Sequence, residues 1–226
     1  MRFRIAFWSV LVGVLGTIGV VTAQNPGPAA KPPDPNTVKL IGNRFAPLTY
    51  QTMTPPQKKM FENLISGERR GAAGPFNVLL RSPEMGDLAQ QFGASMRFHS
   101  SMPPKLNEFA IIITARHWTS HYEWYAHRRA AQEAGLSQAI IDAVATGKRP
   151  SGMTPEEEAV YTFCTELLTT KQVSDRTFQA TKEKFGERGI VDLIGVTGYY
   201  QLVSMLLNTD RYPLPDGVPI ELKAIP

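Results

Sequence analysis

PKLNEFAIIITARHWTSHYEWYAHRRAAQEA, residues 104–134, decides how the chain is read. Pro104 suits a first helical turn, where its missing N–H costs nothing, and Gly135 suits the residue just past a helix end. Wound at about 100° per residue, the stretch gathers Phe109, Ile112, Ile113, Ala130 and Ala134 into one sector. The spacing predicts one long helix over 104–134 with an apolar stripe. Arg116, Ser120, Glu123 and His127 fall in the same sector, with Glu108 at its edge. Polar groups therefore lie on the face expected to be buried.

Burying a carboxylate, a guanidinium and an imidazole is costly unless they pair or serve a purpose. Glu123 and His127 are four residues apart and reach one another on a helix. A carboxylate beside an imidazole favours the imidazolium, a proton donor near neutral pH. The spacing leaves two readings open: an acid–base pair, or a satisfied network that locks helices together. Arg116 likewise either clamps a substrate carboxylate or pairs with Glu108 or Glu123. His117 and His121 also have i,i+4 spacing, which suits two metal ligands. They point away from Glu123 and His127 on the helix wheel, so no metal site is expected.

The flanking sequence is helical too. Thr54-Pro55 opens a segment carrying Met60, Phe61, Leu64 and Ile65, which Gly67 ends. Ser82-Pro83 opens another, with Met85, Leu88, Phe92 and Met96 along one face. Ser137 caps a short helix that Gly147 closes. Thr154-Pro155-Glu156-Glu157-Glu158 places acids in a first turn, where the helix dipole favours them. Ser174 opens a helix ending near Gly186, and residues 187–208 form the last. Six or seven helices without a fixed repeat make an all-α compact bundle.

The chain has 226 residues, enough for one domain, and 42 % hydrophobic residues supply its core. Its single cysteine excludes an internal disulfide, a CxxC redox pair and a multi-cysteine zinc site. Cys164 lies among Val160, Phe163 and Leu167, as a buried inert thiol would. No GxxxxGK[ST] or GxGxxG loop is present, so nucleotide binding of those kinds is not expected.

Residues 1–23 read as a secretory signal: Arg2 and Arg4, an uncharged run from Ile5 to Val21, then Val21-Thr22-Ala23. The cut is expected after Ala23, which predicts a periplasmic or secreted protein with no membrane segment after cleavage. A retained anchor is the alternative reading of this stretch. Arg2 and Arg4 carry two of the four net positive charges, and no basic stripe remains to suggest nucleic-acid binding. Residues 24–39 are Pro-rich and read as a tether, with the domain over 40–226.

Glu108, eleven residues, Ser120, two residues, Glu123, three residues, His127 resembles the core motif of the carboxymuconolactone decarboxylase and AhpD-like superfamily. In the alkylhydroperoxidase branch cysteines stand where this chain has Ser120 and Glu123. Tyr122-Glu123-Trp124-Tyr125-Ala126-His127 is similar to the block found in cysteine-lacking, decarboxylase-like members. The stretch from Gly74-Pro75-Phe76-Asn77 to Arg81-Ser82-Pro83 resembles the upstream part of the same pattern.

The resemblance implies an AhpD-like helical fold, a homo-oligomer such as a trimer or hexamer, and pockets where helices and subunits meet. Peroxidase chemistry would lack both of its thiols here. The decarboxylase branch acts on a small carboxylated lactone without a metal or organic cofactor. On this reading His127 donates the proton, Glu123 tunes it, and no cofactor is expected. Arg116 binds a carboxylate, Ser120 donates to a lactone or enolate oxygen, and Glu108 orients the network. His99 is expected at the pocket mouth, with Phe76, Asn77 and Trp124 as lining. The expected activity is decarboxylation, or isomerisation or hydrolysis of a related lactone or enol acid. The alternatives are a small-molecule binding scaffold and a vestigial redox protein.

Overall fold

Phe109-Ala110-Ile111-Ile112-Ile113 has no polar break, and the helix containing it is buried on every side. In the computed structural model, which describes residues 31–224, this central helix is α4 (Pro104–His117). Before it come α1 (Pro55–Ser66), α2 (Phe76–Leu79) and α3 (Pro83–Phe98). After it come α5 (His121–Glu133), α6 (Gln138–Ala145), α7 (Pro155–Thr170) and α8 (Asp175–Asp210). The described residues contain no strand, and the fold is an all-α bundle. The expected signal 1–23 and its cut lie outside the described residues.

The helices begin where capping chemistry allows. Thr154 accepts from the Glu157 backbone N–H while Glu157 accepts from the Thr154 N–H, closing a capping box at α7. Ser137 and Ser174 cap α6 and α8 through their hydroxyls. Gly135 and Gly147 take left-handed backbone after α5 and α6.

One expectation fails. The stretch 104–134 is two helices rather than one, which with the short α2 brings the count among the described residues to eight. Thr119 takes a left-handed φ of 48°, the Ser120 N–H donates to the Ala115 carbonyl and the Thr119 N–H to that of Arg116. This is a Schellman-type helix end, and Ser120 then stands as the N-cap residue of α5. The residue in the left-handed position is a threonine, so no glycine marked the break. His117 and His121 consequently sit on different helices.

The sequence puts an apolar row along one face of α3 without assigning that face to core or solvent. Its apolar row faces outward: Leu88 is 69 % exposed, and Met85 and Phe92 are exposed too. Its inward face is Gly86, Ala89, Gln90 and Gly93. The small residues are required by close approach, since a Cβ on Gly93 would overlap the Tyr199 ring at 2.0 Å and one on Gly86 would meet the Leu79 carbonyl at 2.6 Å.

Two apolar clusters result. One joins α4 to α5, α6, α7 and α8 around Phe109, Ile112, Trp124, Phe163, Leu193 and Val203. The other joins α1, α2 and α3 around Met60, Phe61, Leu64, Leu79 and Leu80. Leu40 is buried in the second cluster and Val38 packs on its edge, at the end of the expected tether. α8 is long and apolar enough to cross a membrane, but it lies within the bundle and its backbone is broken at Gly186 (φ 66°). Asp210 ends it, fully buried, and accepts from the backbone N–H groups of Asn43 and Phe45, which ties the start of the fold to its last helix.

Candidate active site

The break at Trp118–Ser120 builds the site. In a continuous helix Glu108 and His127, 19 residues apart, would be separated by about 28 Å along the axis. The reversal lays α5 against α4, and Glu108 Oε2 comes to 2.6 Å from His127 Nδ1. On α5 itself Glu123 Oε1 lies 3.1 Å from His127 Nε2. Both ring nitrogens thus face a carboxylate, and the imidazole is 4 % exposed.

Burial alone would push this imidazole down. The Glu123 charge and the hydrogen bond and charge of Glu108 outweigh it and hold His127 at about 9. His127 is therefore an imidazolium at neutral pH, with both N–H groups donating to carboxylates.

Glu123 and His127 line a cavity of about 210 Å³, and Glu108 stands behind the imidazole, off the cavity lining. α5 contributes Tyr122, Glu123, Ala126 and His127, and α8 contributes Tyr199, Tyr200 and Val203. Phe76 of α2, Arg97 of α3 and the segment around Arg69 and Gly74 close the other side. The Arg69 guanidinium stands over the Phe76 and Phe98 rings, 5.3 and 5.8 Å from their centroids, and its Nη2 is 3.5 Å from the Tyr199 hydroxyl. Among the described residues neither Arg69 nor Arg97 forms an ion pair. The Tyr200 ring meets His127 edge-on at 5.0 Å, and its buried hydroxyl has no partner. Burial, then the charge of Glu123, pushes Tyr200 well above the ordinary tyrosine range, so it is a neutral phenol and a donor.

The structure thus brings Glu123, His127 and Phe76 to one cavity, with Glu108 joined to it through His127. It does not bring the other expected residues to this cavity. Arg116 donates through Nη2 to the Lys223 carbonyl at 2.8 Å and lines a different cavity beside His117. Ser120 is fully buried, its hydroxyl without a partner among the described residues. His99 is exposed and pairs with Glu68 at 2.6 Å. Asn77 is spent on the backbone, accepting from the Leu48 N–H and donating to the Phe45 carbonyl. Trp124 is buried and donates to Glu221 at 2.9 Å. Sequence reasoning missed Arg69, Arg97, Tyr199 and Tyr200. Only Arg97 stood beside a residue already singled out, and no local pattern marked the others.

Cys164 is fully buried, 3.6 Å from the Thr197 hydroxyl, and burial pushes its thiol up to about 12. Such a thiol carries no thiolate at neutral pH. Among the described residues no group of three or more His, Cys, Asp or Glu side chains is arranged to hold a metal ion. Comparison with protein-family models and with curated proteins finds no match.

Proposed function

We propose that this protein is an acid–base enzyme of the carboxymuconolactone decarboxylase-like type, acting without a cofactor on a small carboxylated lactone or enol acid. One observation carries the reading: an imidazolium held between two carboxylates at the wall of a cavity that also holds two unpaired arginines. Arg69 and Arg97 supply positive charge for a substrate carboxylate. Tyr200 offers a neutral hydroxyl to an oxygen that gains negative charge.

In a decarboxylation the carbon–carbon bond to the leaving carboxylate breaks, and its electron pair passes into an enolate that must then be protonated. Glu123 lines the cavity beside His127. It accepts the Nε2 proton of His127 and passes it to carbon, after which solvent reprotonates the imidazole. Glu108 fixes the ring through Nδ1 and stabilises its charge. The same groups serve isomerisation or hydrolysis of a related lactone. The sequence resemblance is the ground for preferring decarboxylation.

The apolar leader of residues 1–23 supports export to the periplasm or beyond. Assembly into a homo-oligomer is supported by the exposed row Met85, Leu88 and Phe92 on α3, beside Val191, Ile194 and Met205 on α8.

A second reading has its own observation. Both nitrogens of His127 are already occupied by carboxylates, as they would be in a purely structural lock within a binding scaffold. A redox role has no support from the buried Cys164 thiol. Turnover of carboxymuconolactone and a panel of carboxylated lactones by residues 24–226, with His127→Gln alongside, separates the readings. Turnover lost in the variant supports the enzyme. Equal ligand binding by both forms without turnover supports the scaffold.

A further inference from the structure

Among the described residues, Arg116 is a charged side chain without a counter-charge. It is 4 % exposed, and only Nη2 has a partner, the Lys223 carbonyl. Nε and Nη1 are buried with none, and among the described residues no carboxylate pairs with the guanidinium. A guanidinium cannot shed its proton to relieve this. A buried unpaired charge costs far more than one carbonyl contact returns.

The same side chain lines a second cavity of about 130 Å³, between α4, α6 and α7 and apart from the His127 site. Ile113, Val144, Leu168 and Tyr161 make its walls, Lys148 stands at it as a second cation, and among the described residues no acidic one lines it. His117 also borders it, and burial, then the charge of Lys171, holds that imidazole below its ordinary range and so neutral at pH 7.

We propose that this cavity is a binding site for a small monocarboxylate with a compact apolar body, held by Arg116 with Lys148 beside it. The planar guanidinium matches a carboxylate, and the apolar walls match a hydrocarbon body rather than a hydrated inorganic anion. The volume admits a body of about one ring, well below a drug-sized ligand. The site does not depend on the function proposed for His127.

Calorimetric titration of benzoate into the protein tests this, with benzamide as the neutral counterpart and inorganic phosphate as the compact anion. Benzoate is expected to bind, benzamide and phosphate much more weakly. Arg116→Met should weaken benzoate by about tenfold or more, the worth of one charged hydrogen-bonded contact. Val144→Trp, which fills the cavity and keeps the arginine, should do the same. Arg69→Met, which alters the His127 cavity instead, should leave this binding in place. Benzoate binding that survives both Arg116→Met and Val144→Trp, or that is lost in Arg69→Met alone, overturns the assignment. So does absence of benzoate binding, or tighter binding of phosphate or benzamide.

Discussion

Glu108 Oε2 lies 2.6 Å from His127 Nδ1 across the α4–α5 contact, although 19 residues separate them. Glu108 thus holds the ring nitrogen opposite the one that meets Glu123. Glu108→Gln keeps an acceptor there and removes its charge. His127 should then titrate lower than about 9, and kcat on a carboxylated substrate should fall ~10–100-fold, as for other groups that orient a reacting side chain. A kcat and a pH profile both equal to wild type would assign Glu108 to packing alone.

The His127 charge also sets a pH dependence of stability. Its folded value of about 9 lies above the unfolded histidine value of about 6.5. The contribution is therefore fully present below about pH 6.5 and is lost as pH rises through about 9. Its size is ~3 kcal/mol, at 1.36 kcal/mol per pH unit. Urea unfolding across this window should show a fall in stability that His127→Gln lacks. Parallel curves for the two proteins would remove the charged histidine from the account.

Thr119 holds a left-handed backbone that a β-branched residue adopts at a cost of about 1–2 kcal/mol. Thr119→Gly should raise stability by about 1 kcal/mol, the relief being partly offset by the greater freedom of glycine in the unfolded chain. Thermal or urea unfolding measures it. A loss of stability would mean that the Thr119 side chain contributes more than its backbone costs.

The α3 row and its α8 neighbours expose Met85, Leu88, Phe92 and Ile194 to solvent. If a second copy covers this face, Leu88→Glu with Ile194→Glu should give monomers by light scattering while the helical circular dichroism is unchanged. Assembly unaffected by both changes would move the interface elsewhere.

The all-α class and most helix starts were legible because they rest on local chemistry. Thr54, Ser82, Ser137, Thr154 and Ser174 each precede a helix, and Gly186 marks the break in α8. The apolar setting of Cys164 was legible for the same reason. The α4–α5 break was not. A left-handed threonine carries no sequence mark, and neither glycine nor proline occurs over residues 105–134. That one error displaced Arg116, which a continuous helix puts on the face of Glu123 and the structure puts in another cavity. The orientation of α3 was hidden because glycines, rather than its large apolar residues, make the close contact with Tyr199 and Leu79. Glu123 and His127 survived because their i,i+4 spacing lies within one helix. Arg69, Tyr199 and Tyr200 join them only through the tertiary fold.

The protonation state of His127 is the most direct test of the central claim, that its ring is an imidazolium clamped by Glu108 and Glu123. An NMR titration of 15N-labelled histidine in the intact protein reads both ring nitrogens. The account predicts that the His127 nitrogens both stay protonated through neutral pH and titrate near 9, and that the Glu108→Gln variant titrates lower. A neutral His127 at pH 7, titrating at or below about 6.5, would contradict it.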